Sequence, residues 1–222
     1  MTNNQTKSKK RVADHGEVFT AEREVNAMLD LVKQETERID SRFLEPACGN
    51  GNFLAEILRR KLAVVKSRYG KHVADYELYA VIAVTSIYGV ELLQDNTEEC
   101  RKRMFEIFDK EYTANCKKAA NEATREAVRH ILRHNLLCGD ALTMKAADGV
   151  PIIFAEWSAV NSSMLKRRDF QLSQMLEENT VNLQADLFGE KGHYEQDATG
   201  ATTLLPIREF PPIHYRRVTE HE

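Results

Sequence analysis

The stretch FLEPACGNGNFL, Phe43 to Leu54, sets two glycines, a proline and two asparagines between two apolar clusters. Gly49 and Gly51 have no Cβ, so the backbone there can take positive φ and another group can lie directly against it. Upstream, Arg42 to Ala47 reads as a short buried strand that enters the loop. Downstream, Phe53 to about Tyr69 reads as a helix with Leu54, Ile57, Leu58, Leu62 and Val65 on one face. Strand, glycine turn and helix form the opening unit of an α/β fold, in which ligands settle beyond the carboxyl ends of the strands. The loop lacks the Lys-Ser/Thr pair of a phosphate-binding loop. It starts instead with Glu45, which repels a pyrophosphate and suits an ammonium group or sugar hydroxyls.

On either side of this unit the same alternation continues. Residues 1 to 14 read as a disordered basic arm. From Thr20, a candidate N-cap, Val25, Met28, Leu29, Leu31 and Val32 recur at helical spacing. The helix after the loop carries Arg59, Arg60, Lys61, Lys66 and Arg68 on its other side, most simply a solvated face and otherwise a contact for phosphates. The second half of Leu78 to Leu92 reads as a strand. Asn96 to His134 reads as two helices joined near Tyr112 to Asn115. His130 and His134 lie one turn apart, a metal-binding spacing, but Arg129 and Arg133 beside them and the lack of an acidic third ligand favour a surface pair. Asn135 to Asp140 is a third strand and Val150 to Trp157 a fourth apolar run. Met164 to Glu178 is expected to be helical and Asn182 to Gly200 a polar loop. Leu204 to Pro212 is an edge strand or extended arm, because its prolines exclude it from a sheet centre. This order predicts an α/β sandwich with a mostly parallel sheet.

Composition limits the function. With 42% apolar and 29% charged residues in 222, the chain suits one globular domain. A net charge of -3 gives no global pull toward nucleic acid, so any polyanion contact needs a local patch. No run of about 18 apolar residues occurs, and the polar N-terminus lacks a secretory signal, which predicts a cytoplasmic protein without a membrane span. Cys48, Cys100, Cys116 and Cys138 form no CxxC pair and read as reduced thiols, with neither a disulfide framework nor a metal site expected.

Two further acids stand where Glu45 stands. Glu91 ends the second strand, and Asp140 follows Gly139 at the end of the third. Acids at the tips of three successive parallel strands suit a ligand with a cationic amino acid end, a ribose and an adenine. Glu45 would lie by the amino acid end, Glu91 would accept the ribose hydroxyls, and Asp140 would accept from the adenine amine. That ligand is S-adenosylmethionine.

These residues resemble a known family. FLEPACGNGNFL is similar to the cofactor loop of adenine-specific (N6) DNA methyltransferases, and GEVFTA, residues 16 to 21, resembles the Phe-Thr-Pro segment preceding it in type I restriction–modification methylation subunits. YGVEL (88–92) and CGDAL (138–142) look like the second- and third-strand signatures. The resemblance implies a Rossmann-like, S-adenosylmethionine-dependent methyltransferase fold, with a truncated sheet, over residues 15 to 178, and an irregular extension from 179 to 222. It implies that Phe19, Thr20, Glu45, Ala47, Gly49 and Gly51 grip the methionine end, with Glu91 and Asp140 completing the cofactor site. It implies DNA as a partner, in a restriction–modification or phage-associated system. Ala21 stands where the family has proline.

The catalytic motif departs further. The family carries Asn/Asp-Pro-Pro-Tyr/Phe after its fourth strand, where the polar groups accept from the target amine and the aromatic stacks on the flipped base. The aligned residues here are Ala155-Glu156-Trp157-Ser158, and Asn-Pro-Pro occurs nowhere in the chain. Glu156 is the candidate acceptor, with Asn161 close by. Trp157 is either a stacking platform or a core residue at a strand end. Only 64 residues follow Ser158, too few for a target-recognition domain. The expected function is therefore a DNA adenine methyltransferase-like protein, or else a non-catalytic cofactor-binding partner within a modification complex.

Overall fold

A computed structural model describes residues 6–15, 17–161, 163–174, 194–196 and 202–221. The glycine unit forms as the sequence predicts. β1 (Phe43–Glu45) leads into the loop, and α4 (Asn52–Tyr69) follows it, with α1 (Lys9–His15), α2 (Glu22–Asp30) and α3 (Lys33–Thr36) preceding. The chain then runs through α5 (Val73–Thr85), β2 (Ile87–Glu91), α6 (Gln94–Cys116), a 3-10 turn at Lys117–Ala119, α7 (Glu122–Asn135) and β3 (Leu136–Cys138). Among the described residues β1, β2 and β3 form a parallel sheet in that order, with Glu45 opposite Gly89 and Glu91 opposite Cys138. The protein is thus a mixed α/β fold. Its parallel strands bring the tips of Glu45, Glu91 and the residues after Cys138 to one end of the sheet.

Successive β2 residues point to opposite faces. On one face Gly89 lies against Cys48 and Leu54 of the loop–helix unit, where a Cβ would come within 2.9 Å of the Cys48 sulfur. α4 packs there through Leu54, Leu58, Leu62 and Val65, all at helical spacing. α6 buries Cys100, Met104, Phe108, Tyr112 and Cys116, a stripe repeating every fourth residue. That stripe carries the helix past Tyr112–Asn115, the joint expected from sequence, to a break at Lys117 (φ 50°). α7 starts on Asn121, whose side chain accepts from the Thr124 amide at 2.9 Å.

On the other face Tyr88 and Val90 meet Ile152, Phe154 and Leu172. Here the expected fourth parallel strand is corrected. β4 (Ile153–Asn161) forms a long antiparallel hairpin with β5 (Met164–Gln171), in a sheet of its own. A parallel return needs a crossover, usually a helix. Residues 139 to 152 instead form turns pinned by bridges of Lys145 with Asp140 and Pro151. Met164 to Gln171, expected to be helical, is therefore a strand.

β5 also pairs with β8 (Arg208–Glu209) and β9 (Ile213–His214), so the C-terminal segment contributes to this sheet rather than standing apart as an irregular extension. Tyr194–Gln196 and Thr202–Leu204 (β6 and β7) form a two-stranded ladder, the former within the stretch expected to be loop. The remainder of that expected loop lies outside the described residues. A final 3-10 turn, Tyr215–Glu220, docks on the buried Glu77 of α5, which accepts from the Tyr215 hydroxyl at 2.8 Å and the Arg216 guanidinium at 2.5 Å.

Two surface readings are also corrected. Lys61 is fully buried, not solvated. Its ammonium donates to the carbonyls of Ile39 and Ser41 and to the Ser86 hydroxyl, tying the β1 and β2 entries to α4. Elsewhere on that helix Arg60 pairs with Glu56 and Asp30, and Lys66, half-exposed, with Glu111. His130 is likewise buried, its ring tilted against that of His134 at 4.3 Å and set edge-on to Trp157. The arm expected to be disordered is helical from Lys9 to His15, because Arg11 has carboxylates to bind on both sides. No helix among the described residues is long and apolar enough to cross a membrane.

Candidate functional site

A cleft of about 550 Å³ opens at the carboxyl end of the parallel sheet. The glycine loop forms its floor, residues 17 to 20 one wall, and the segments after β2 and β3 the other. Of the eight residues the sequence assigns to cofactor binding, seven line it: Phe19, Thr20, Glu45, Ala47, Gly49, Glu91 and Asp140. Gly51 sits behind. It caps α4 in the left-handed region (φ 84°), and a Cβ there would come within 2.6 Å of the Cys100 sulfur. Gly49 is also left-handed (φ 53°), its missing Cβ leaving room for the Phe19 ring 3.1 Å from that position. The two glycines thus have different duties, one toward the cleft and one toward the core.

Each acid has a distinct setting. Glu91 accepts from the Gly49 amide at 2.9 Å, the Leu93 amide at 3.1 Å and Asn96 Nδ2 at 3.2 Å, so the second strand tip holds the glycine loop in place. A carboxylate has about four lone-pair sites, so capacity for a ligand hydroxyl remains. Glu45 is half-buried, and burial pushes its carboxyl above the ordinary range, with the Ala47 amide opposing. Asp140 is held low by the Leu142 amide (2.9 Å) and then by the Thr143 hydroxyl (3.1 Å), which fix the turn after β3.

Sequence reasoning missed several cleft residues. Glu17 lines the cleft two positions before Phe19, its acid placed there by Arg11 and Asn96. Asn96, in the first turn of α6, was legible only as the residue five positions after Glu91. Leu92 and Leu142, each just past a strand-tip acid, line the cleft while largely exposed, Leu142 at 92%. Such apolar side chains at a cleft lip offer faces for a flat ring. Among the described lining residues there are four carboxylates (Glu17, Glu45, Glu91, Asp140) and no Lys, Arg or His.

The two expected catalytic residues are not brought to the cleft. Glu156 is 2% exposed, and its oxygens accept from Arg42 and from Arg168 (2.9 Å), away from the residues that line the cleft. Trp157 is 5% exposed. Its indole nitrogen donates to Asn135 Oδ1 at 3.0 Å, and its ring meets His130, His134 and the Arg167 guanidinium. It packs in the core where the hairpin meets α7, as the packing alternative expects. Among the described residues no group of three or more His, Cys, Asp or Glu side chains is disposed to hold a metal ion. No family model, curated protein or solved structure matches the chain.

Proposed function

We propose that the cleft binds S-adenosylmethionine, and that the chain is a DNA adenine methyltransferase-like protein acting as the cofactor-binding partner of a modification complex. The carrying observation is the charge of the cleft: four carboxylates line it without a basic side chain among the described residues. That set disfavours nucleoside phosphates and favours a ligand with a sulfonium and an ammonium. The glycine floor and the Leu92 and Leu142 side chains suit the adenosyl portion in shape. On this reading Glu45 lies by the amino acid end, Glu91 takes the ribose hydroxyls and Asp140 the adenine amine. β1–β3 then correspond to the cofactor-binding half of a Rossmann-like methyltransferase sheet. Bound there, S-adenosylmethionine would supply an electrophilic methyl group.

The non-catalytic form is preferred because Glu156 and Trp157, aligned with the family's catalytic tetrapeptide, are committed to ion pairs and core packing. DNA as the partner rests on the sequence resemblance. Two assays test the reading. Calorimetry should detect S-adenosylmethionine binding, and labelled methyl transfer to mixed DNA should stay at background for the isolated chain. Efficient labelling of DNA by the chain alone would overturn the non-catalytic form.

A further inference from the structure

Residues 7–15 and 17–20 are fastened at two points around the cleft. At one end Asn52 Nδ2, in the first residue of α4, donates to the Thr20 carbonyl at 2.9 Å. At the other, Lys7 Nζ reaches Glu99 at 2.5 Å and Asn96 Oδ1 at 2.6 Å, and Arg11 forks between Glu17 (2.5 Å) and Asp95 (2.6 Å). Asp95, Asn96 and Glu99 all belong to the start of α6. The two fastenings differ in kind: an amide–carbonyl bond at the Thr20 end, and partly exposed ion pairs at the α1 end. Asp95 and Glu99 reach solvent while Glu17 is buried, so the α1 end is the one whose hold depends on ionic strength.

Asn96 links this segment to the ligand side. It is buried, and its single side-chain amide donates to Glu17 Oε1 at 2.6 Å and to Glu91 Oε1 at 3.2 Å. Two carboxylates therefore share one amide, with Lys7 and Arg11 neutralising them from the α1 side. Burial alone would raise the Glu17 carboxyl; Arg11 and Asn96 more than offset it, keeping Glu17 charged. Losing Lys7 and Arg11 would leave Glu17 facing Glu91 across Asn96 without compensation.

We propose that residues 7–15 and 17–20 form an electrostatic strap that closes the cleft over its ligand, with Asn96 as the positioning residue coupling the strap to Glu91. The inference rests on the S-adenosylmethionine reading of the cleft and adds how that ligand is retained. A closing strap sets the rate of ligand departure more than of arrival.

The test is stopped-flow binding of S-adenosylmethionine to the full chain and to the double variant Lys7→Ala/Arg11→Ala. Release should quicken about tenfold in the variant without slower association, as expected when a closed state is depopulated to that degree. In the Lys7→Ala background Arg11→Lys should restore part of the slow release that Arg11→Ala loses, and Asn96→Ala, which removes a Lys7 partner and the link to Glu91, should weaken binding and quicken release. Two measurements need no variant. Raising salt from about 50 to 500 mM should speed release from the wild type, and saturating ligand should slow tryptic cleavage after Lys9, Lys10 and Arg11. A double variant that is folded and releases ligand at the wild-type rate overturns the strap while leaving the cofactor reading intact. The strap is overturned in the same way if neither salt nor ligand has its expected effect on the wild type. A folded wild type that binds no S-adenosylmethionine overturns both.

Discussion

Glu91 works on both sides of the cleft wall, holding the Gly49, Leu93 and Asn96 donors while keeping capacity for a ligand. Glu91→Ala should therefore weaken S-adenosylmethionine binding by about tenfold or more, the ~1.4 kcal/mol scale of one charged hydrogen bond, as read by calorimetry. Gly51→Ala probes the core-facing glycine. It forces a Cβ into a left-handed residue against the Cys100 sulfur, and thermal unfolding should report a loss of about 2 kcal/mol or more. The Gly loop and the strand-tip acids were legible because their residue types are dictated locally by backbone conformation and charge. Lys61 and His130 were misread because sequence spacing does not reveal which charged groups find partners inside. His130 has the clearest pH consequence. Burial depresses its pKa to about 3 from an ordinary 6.5. Between those values the unfolded chain binds a proton that the folded chain does not, so stability should fall as pH drops from about 6.5 toward 3. His130→Phe should flatten that slope in pH-dependent denaturant melts.

Among the elements, the β4–β5 hairpin is where sequence reasoning failed most, and Arg167 and Asp169 explain it. Both are buried on the inner side of β5, alternating with Leu165 at period two, and they pair with each other at 2.7 Å. A strand whose inward positions carry an ion pair loses the apolar alternation by which strands are recognised. β4 itself was legible as an apolar run; its antiparallel pairing with β5 was not, because the partner strand went unrecognised. The hairpin's role separates from that of the cleft by mutation. Trp157→Phe keeps most of the packing but leaves Asn135 Oδ1 without its donor, a cost of about 1–3 kcal/mol. The thermal midpoint should fall while S-adenosylmethionine affinity stays as in the wild type. Unchanged stability with altered ligand or DNA handling would return Trp157 to the site.

For the molecule as a whole, the acid-lined cleft and the mixed α/β frame that builds it are one design. Parallel strands deliver acids to one end, the glycine loop clears a floor, and α6 ties both to the N-terminal segment. A cleft that recognises its ligand by positive charge should distinguish the sulfonium from the neutral sulfide of S-adenosylhomocysteine, with the former raising the thermal midpoint more at equal concentration. Because burial raises the Glu45 carboxyl, that preference should shrink on acidification sooner than an ordinary glutamate would dictate. The most direct measurement is titration calorimetry of the full chain with S-adenosylmethionine, alongside Asp140→Ala. Saturable one-site binding that the substitution weakens is the predicted result. A folded chain that releases or absorbs no heat of binding with that ligand, yet binds a nucleoside phosphate, would contradict the account.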